Sequence, residues 1–296
     1  MMSNLTQTQS SEHTMQANQT KELITATAGM RASDGDGVRL TRIIGTPQLR
    51  MIDPFLMLDC FESDNPDDYI GGFPTHPHRG FETVTYLLDG RMRHKDSKGN
   101  EGVIEPGGVQ WMTAGKGILH SEMPEQENGL LKGFQLWVNL PKTDKMTEPA
   151  YQEFAPDKVA VENRKDGTEV RVIAGKTDLG TQGPVINHYT SPTYMDVILP
   201  AGVVFNQQLP EGHNAFIYVV EGELTVGEKG QKVGAKTLGI LGAGEQVKLT
   251  GQSSSSRVLL VAGKPLNEPV VQSGPFVMNT REEINQAFDD FRRGLF

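Results

Sequence analysis

The sequence predicts an all-β chain of two small barrels in tandem, closed by one C-terminal α-helix. Three observations predict it. From Lys21 onward, short apolar runs such as VRLTRIIG, ETVTYLLDG and LKGFQLWVNLP alternate with Gly, Pro, Asn and Asp about every ten positions, as many short strands require. The pattern then repeats in kind. TVTYLLDGRM in the first half is echoed by FIYVVEGELTV in the second, each an apolar strand passing through acid-Gly into another strand. A Gly-rich turn follows each, Glu105-Pro106-Gly107-Gly108 in one and Leu241-Gly242-Ala243-Gly244 in the other. Only the closing segment carries helical periodicity.

Taken in order, residues 1–20 are polar, rich in Ser, Thr, Gln and Asn, and read as a disordered tail without the apolar run of a secretory signal. Residues 21–145 form the first barrel. The polar, proline-broken stretch Pro141 to Arg164 reads as a linker carrying one strand. Residues 146–275 form the second barrel, from runs such as VRVIAG, YMDVILPAG and RVLLVAG. Residues 276–296 end in a helix from about Arg281 to Arg293. Thr280 and Glu283 make its capping box, Ile284, Ala287, Phe288 and Phe291 share one face, and Arg292 and Arg293 stand at the negative end of its dipole.

Composition narrows the function. At 296 residues the chain has room for two domains, each with its own core. A net charge of -9 and a pI near 5.3, with no basic run, argue against direct nucleic-acid binding. No apolar run reaches membrane-spanning length, so no membrane association is expected. The single cysteine, Cys60, cannot form an internal disulfide, which fits a reducing compartment; the cytoplasm is the expected location.

Two dipeptide-spaced pairs carry the chemistry. His76 with His78, and His120 with Glu122, lie in strand-like runs. Residues i and i+2 of a strand face the same way, so each pair presents two donors in one direction. If the strands are neighbours, four donors converge. Three imidazoles and a carboxylate, without a thiolate, suit iron, nickel, copper, manganese or a catalytic zinc.

The blocks HPHRGFETVTYLLDGRMRHKDSKG, GGVQWMTAGKGILHSEMPE, GFQLWVNLP and PFVMNTREEI resemble those of the pirins, a branch of the cupin superfamily, from about Gly37 to Phe296. The resemblance implies two cupin (jelly-roll) barrels. One divalent metal, usually iron, would sit in the first, held by His76, His78, His120 and Glu122, with the second barrel metal-free. It also implies quercetin 2,3-dioxygenase activity, in which O2 opens a flavonol and carbon monoxide leaves, with Glu122 or Glu82 as base. The alternative it implies is a non-catalytic, redox-responsive iron protein that binds a protein partner. A third possibility is an isomerase or storage-type cupin, because one fold hosts many chemistries. The general cupin pattern makes Glu82, four residues after His78, a rival ligand, and it expects a histidine near Trp111, whereas His120 comes later. Glu122 is preferred because it shares a face with His120. Glu82 could then orient an imidazole or accept a proton.

The other histidines lack a spaced partner. His94 and His188 read as solvated or hydrogen-bonded, His13 lies in the tail, and His213 stands alone where the second repeat would need a pair. Phe73, Phe81, Trp111, Met112, Met123, Phe134 and Trp137 read mostly as barrel core, with a few at a pocket mouth suited to a flat, hydroxylated aromatic. Arg79 reads equally as a surface residue or as a clamp for an anionic group.

Overall fold

Strands buried on both faces set the architecture. Phe81–Asp89 is buried from Phe81 to Leu87 and Asn214–Glu221 from Ala215 to Val220, so neither shows the apolar–polar alternation of a strand with one wet face. The computed structural model describes residues 19–296 and shows why. Each of these strands is central to a seven-stranded sheet whose inner face closes a barrel and whose outer face meets the other barrel.

The first barrel's large sheet runs in the order Ala150–Phe154, Val109–Thr113, Phe81–Asp89, Leu131–Asn139, Phe55–Ser63, Val38–Ile44, Met30–Asp34. Facing it is a four-stranded sheet in the order Phe73–His78, Ile118–Pro124, Met92–Asp96, Glu101–Ile104. The second barrel repeats this arrangement. Its large sheet runs Leu23–Thr27, Thr237–Leu241, Asn214–Glu221, Ser255–Gly263, Thr193–Pro200, Glu169–Ala174, Ala160–Asn163. Its small sheet runs Val204–Gln208, Gln246–Gly251, Glu223–Val226, Gln231–Gly234. The repetition expected from the echoed runs is thus present strand for strand.

The two large sheets pack outer face to outer face. Val84, Tyr86, Trp111 and Phe134 of the first lie in one buried cluster with Ile173, Tyr194, Phe216 and Tyr218 of the second. A polar pin crosses this layer: the Tyr86 hydroxyl donates to Asp196 at 2.6 Å, and Arg257 holds the same carboxylate with Nε and NH2. Trp111 and Phe134, read from sequence as barrel interior, therefore belong to the seam between barrels, because they share strand parity with the outward-facing residues.

Two segments depart from the sequence reading. The stretch from Pro141 to Arg164 supplies two strands, not one: Ala150–Phe154 pairs with Val109–Thr113 in the first barrel, and Ala160–Asn163 pairs with Glu169–Ala174 in the second. Leu23–Thr27, at the head of the residues assigned to the first barrel, pairs with Thr237–Leu241 in the second. Of the expected tail, residues 1–18 lie outside the described residues, while Thr20 bridges Gln246 at the second barrel's edge.

After the second barrel the chain returns to the first. A hairpin, Val271–Ser273 with Phe276–Met278, leads into the helix Arg281–Arg292. Thr280 caps the helix and the reciprocal Glu283 bond completes the capping box, as its spacing predicts. Ile284 and Ala287 bury against Phe276 and Met278. No helix among the described residues is long and apolar enough to cross a membrane.

Candidate metal centre

The two candidate ligand pairs sit on adjacent strands of the first barrel's small sheet. Phe73–His78 and Ile118–Pro124 run antiparallel, with His76 opposite His120 and His78 opposite Ile118. Cross-strand partners share a face, so all three imidazoles point into the barrel. A register shift between His120 and Glu122 sets Glu122 opposite Phe73.

Among the described residues, one nitrogen from each of His76, His78 and His120 comes within 4.8 Å of the others. The His76 and His78 Nε2 atoms are 2.9 Å apart, and the His120 ring centroid lies 4.4 Å from that of His76 and 5.0 Å from that of His78. His76 Nδ1 lies 2.9 Å from the Pro74 carbonyl oxygen. Only a protonated Nδ1 can donate there, which leaves the Nε2 lone pair facing the other rings. Both nitrogens of His120, and Nδ1 of His78, are buried without a hydrogen-bond partner. Burial, reinforced by the neighbouring imidazoles, pushes His78 and His120 well below the usual histidine value and keeps their lone pairs free. Leaving such groups unpaired costs about 1–3 kcal/mol each. A metal taking one nitrogen from each ring would give a nitrogen of His120 its missing partner, so the donor set fits the implied ion.

Glu122 lies beside this cluster, 3% exposed. Its Oε1 is 2.8 Å from Thr85 Oγ1, and Gln135 Nε2 donates to Oε2 at 3.1 Å. Thr85 and Gln135 are direct cross-strand partners on the large sheet, so the wall opposite the histidines grips the carboxylate. The four-residue set is therefore three converging imidazoles with a separately held carboxylate nearby.

Glu82 is elsewhere. On Phe81–Asp89, Thr85 faces the barrel interior, whereas Val84 and Tyr86 face the second barrel, and Glu82 shares their parity. Its carboxylate accepts from Thr113 Oγ1 at 2.8 Å and from Asn187 Nδ2 of the second barrel at 2.6 Å. Burial pushes its pKa up to about 7, against the opposing pull of those hydrogen bonds. As a candidate ligand or base it is corrected by this placement, on the far side of the sheet from the histidines.

A cavity of about 720 Å³ opens onto the cluster. His76, His78 and Glu122 line one side, with Met57, Phe61, Phe73 and Trp137 as apolar walls. Asp34, Asp36 and Gln135 line it too, as do Arg42 and Asp59, a bidentate pair with bonds of 2.9 and 2.7 Å. Phe73 and Trp137 are thus the aromatic pocket residues among those the sequence offered, while Phe81 and Met112 are fully buried. His94 is buried and bonded to Glu153, beside Glu122 in the strand register. His188 is exposed, and His213 is buried at the edge of the second barrel. Arg79 is neither on the surface nor in the cavity: it is 3% exposed and bonded to the C-terminal helix.

Residues 37–138 match the family described as Pirin, and residues 194–296 match the Pirin C-terminal cupin domain. The chain is 56% identical over 268 residues to a pirin-like protein of Caulobacter vibrioides, covering 90% of this chain and 96% of that one. It is 45% identical over 276 residues to human pirin, covering 92% of each. A crystal structure of quercetin 2,3-dioxygenase from Acinetobacter baumannii superposes with a TM-score of 0.85 at 36% identity, covering 94% of this chain and 98% of that one.

Proposed function

The chain belongs to the pirin family, and on that premise we propose that it is a metal-dependent dioxygenase that opens flavonols such as quercetin with O2 and releases carbon monoxide. One observation carries the reading: three imidazole nitrogens converge at a cavity of about 720 Å³ that presents Met57, Phe61, Phe73 and Trp137 beside the charged Asp34, Asp36, Arg42 and Asp59. Likeness to a solved quercetin 2,3-dioxygenase supports the substrate class.

His76, His78, His120 and Glu122 would hold one divalent metal, Fe(II) first, with nickel, copper, manganese and zinc as the other ions such donors accept. When bound, the metal supplies Lewis acidity toward the flavonol 3-hydroxyl and a place where substrate and O2 meet. The remaining work belongs to side chains. Phe73 and Trp137 present apolar faces to a planar ring system. Glu122, kept in place by Thr85 and Gln135, accepts the 3-hydroxyl proton. Two carbon–carbon bonds of the heterocycle then break, both oxygen atoms enter the ring-opened ester, the lost carbon leaves as carbon monoxide, and the proton ends on the product carboxyl.

The test is aerobic incubation of Fe(II)-loaded protein with quercetin, following the flavonol's visible absorbance and trapping carbon monoxide. Unchanged absorbance would sink the proposal. A partner set that differs between ferrous and ferric protein, with no turnover, would favour the binding-protein reading.

A further inference from the structure

Arg79, directly after His78, is claimed by the far end of the chain. Its Nε donates to the Lys116 carbonyl at 2.6 Å, and its NH1 donates to Asp290 on the C-terminal helix at 2.8 Å. Its guanidinium carbon sits 4.4 Å from the centroid of the Phe296 ring. The side chains of this ion pair are only 4% and 15% exposed, so the charges meet largely out of water.

These contacts converge on the two turns that bound the ligand strands. One turn, Arg79–Gly80, ends the strand bearing His76 and His78. The other, Gly115–Gly117, begins the strand bearing His120 and Glu122. Gly80 N donates to the Gly115 carbonyl at 2.8 Å, tying the turns together. The C-terminal segment then covers both. Val277 N donates to the Arg79 carbonyl at 3.0 Å, and a Cβ at Gly80 would lie 2.0 Å from the Val277 oxygen. A Cβ at Gly117 would lie 2.9 Å from the Phe296 ring. The same segment reaches the cavity, whose lining includes Gln272, Gly274 and Pro275.

We propose that the C-terminal segment is a latch on the metal centre, with Arg79 as its positioning residue: the Asp290 ion pair and the Phe296 stack fix the spacing of His78 and His120 and hold the Val271–Met278 hairpin as a cavity wall. The proposal rests on the metal reading of the histidine cluster. Arg79 touches neither metal nor substrate; it acts through the turns. Releasing it leaves the two turns held by the strands' own pairing alone and loosens their spacing, which weakens a chelate whose donors come from both strands.

The test uses the full chain and cobalt(II) alone as probe. Wild type is expected to take up one cobalt(II) with visible ligand-field bands and to lose it slowly to excess EDTA. Asp290→Asn and Phe296→Ala are each expected to lose cobalt at least about 10-fold faster and to shift those bands, as other residues that orient ligands do. Arg79→Lys, which keeps the charge but loses the fork and much of the stack, is expected to fall between them and wild type. Asp289→Asn, an exposed neighbour on the same helix, is the control and should match wild type. Because the melting temperature of the metal-free protein reads the tail's contribution to stability with no metal bound, a lowered melting temperature with wild-type cobalt release and bands would overturn the latch. Wild type that takes up no cobalt would overturn the metal reading and the latch together.

Discussion

Replacing Glu82 with Gln tests which of the two candidate carboxylates, Glu82 or Glu122, belongs to the proposed metal site. Glu82 is 1% exposed in the seam between barrels, and burial raises its pKa from the ordinary 4.5 to about 7. The folded-state value lies above the unfolded one, so between pH 4.5 and 7 the folded protein binds more protons than the unfolded chain. Stability from this group is complete below pH 4.5 and is lost as pH rises through 7. A difference of two to three units corresponds to about 3 kcal/mol at 1.36 kcal/mol per unit. Glutamine carries no charge at any of these pH values. Its oxygen can accept from Asn187 while its amide donates to Thr113, whose hydroxyl rotates to receive it, so the amide costs about 1 kcal/mol or less. Glu82→Gln should therefore match wild type within about 1 kcal/mol at pH 5 and exceed it by about 2 kcal/mol at pH 8, a gain of roughly 5 °C in melting temperature. Metal content should be unchanged. Thermal melts of both proteins across pH 5–8.5, with metal analysis of the same samples, check this. A melting difference independent of pH, or loss of metal from Glu82→Gln, would refute the placement of Glu82 outside the site.

The grip on Glu122 and the close approach at Gly80 yield two further expectations. Gln135→Leu removes the amide that donates to Glu122 Oε2, and metal affinity should fall about 10–100-fold in competition against a chelator, with the melting temperature of the metal-free protein little changed. Gly80→Ala forces a Cβ to 2.0 Å from the Val277 oxygen at a φ of +87°, so the Phe276–Met278 strand must shift; a loss of at least about 2 kcal/mol is expected, measured by denaturant melts, together with faster proteolysis of the C-terminal segment.

Strand parity explains what was legible in the sequence. His76 with His78, and His120 with Glu122, each lie inside one strand, where counting by two gives the face directly. Glu82 is separated from His78 by the turn at Arg79–Gly80, and a turn resets the phase, so counting from His78 could not place it. The donors that hold Glu122 were hidden for another reason. Thr85 and Gln135 stand 50 positions apart and meet only through register. His94 and Glu153 likewise meet across 59 positions, through a strand that read as linker. That strand, Ala150–Phe154, lies at a sheet edge with no fully buried residue, so it carries no apolar pattern to detect. The C-terminal helix was readable because its cap and its apolar face are both local; where it docks, on the turn after His78, depends on tertiary contacts alone.

The two barrels share a strand order but fill it differently, and the difference gives the second barrel a role. Its interior is apolar between the sheets, with Phe205, Leu224, Leu249, Val197, Ile217 and Leu260 among the buried residues. The first barrel's core is divided, with its main cluster around Leu40, Phe61, Leu87 and Ile104 and two small ones at Leu56 with Phe81 and at Met112 with Ile118. Elsewhere its interior carries His76, His78, His120, Glu122, Arg42 and Asp59 around a cavity, groups whose burial opposes folding unless each is paired. The apolar burial missing from that interior is recovered outside it, where the large sheet packs Val84, Tyr86, Trp111 and Phe134 against the second barrel. At a roughly estimated 1.5–3 kcal/mol per buried large apolar side chain, those four outward residues alone are comparable with the net stability of a domain. The solid second barrel thus lets the first keep a hollow interior with a mixed polar and apolar lining.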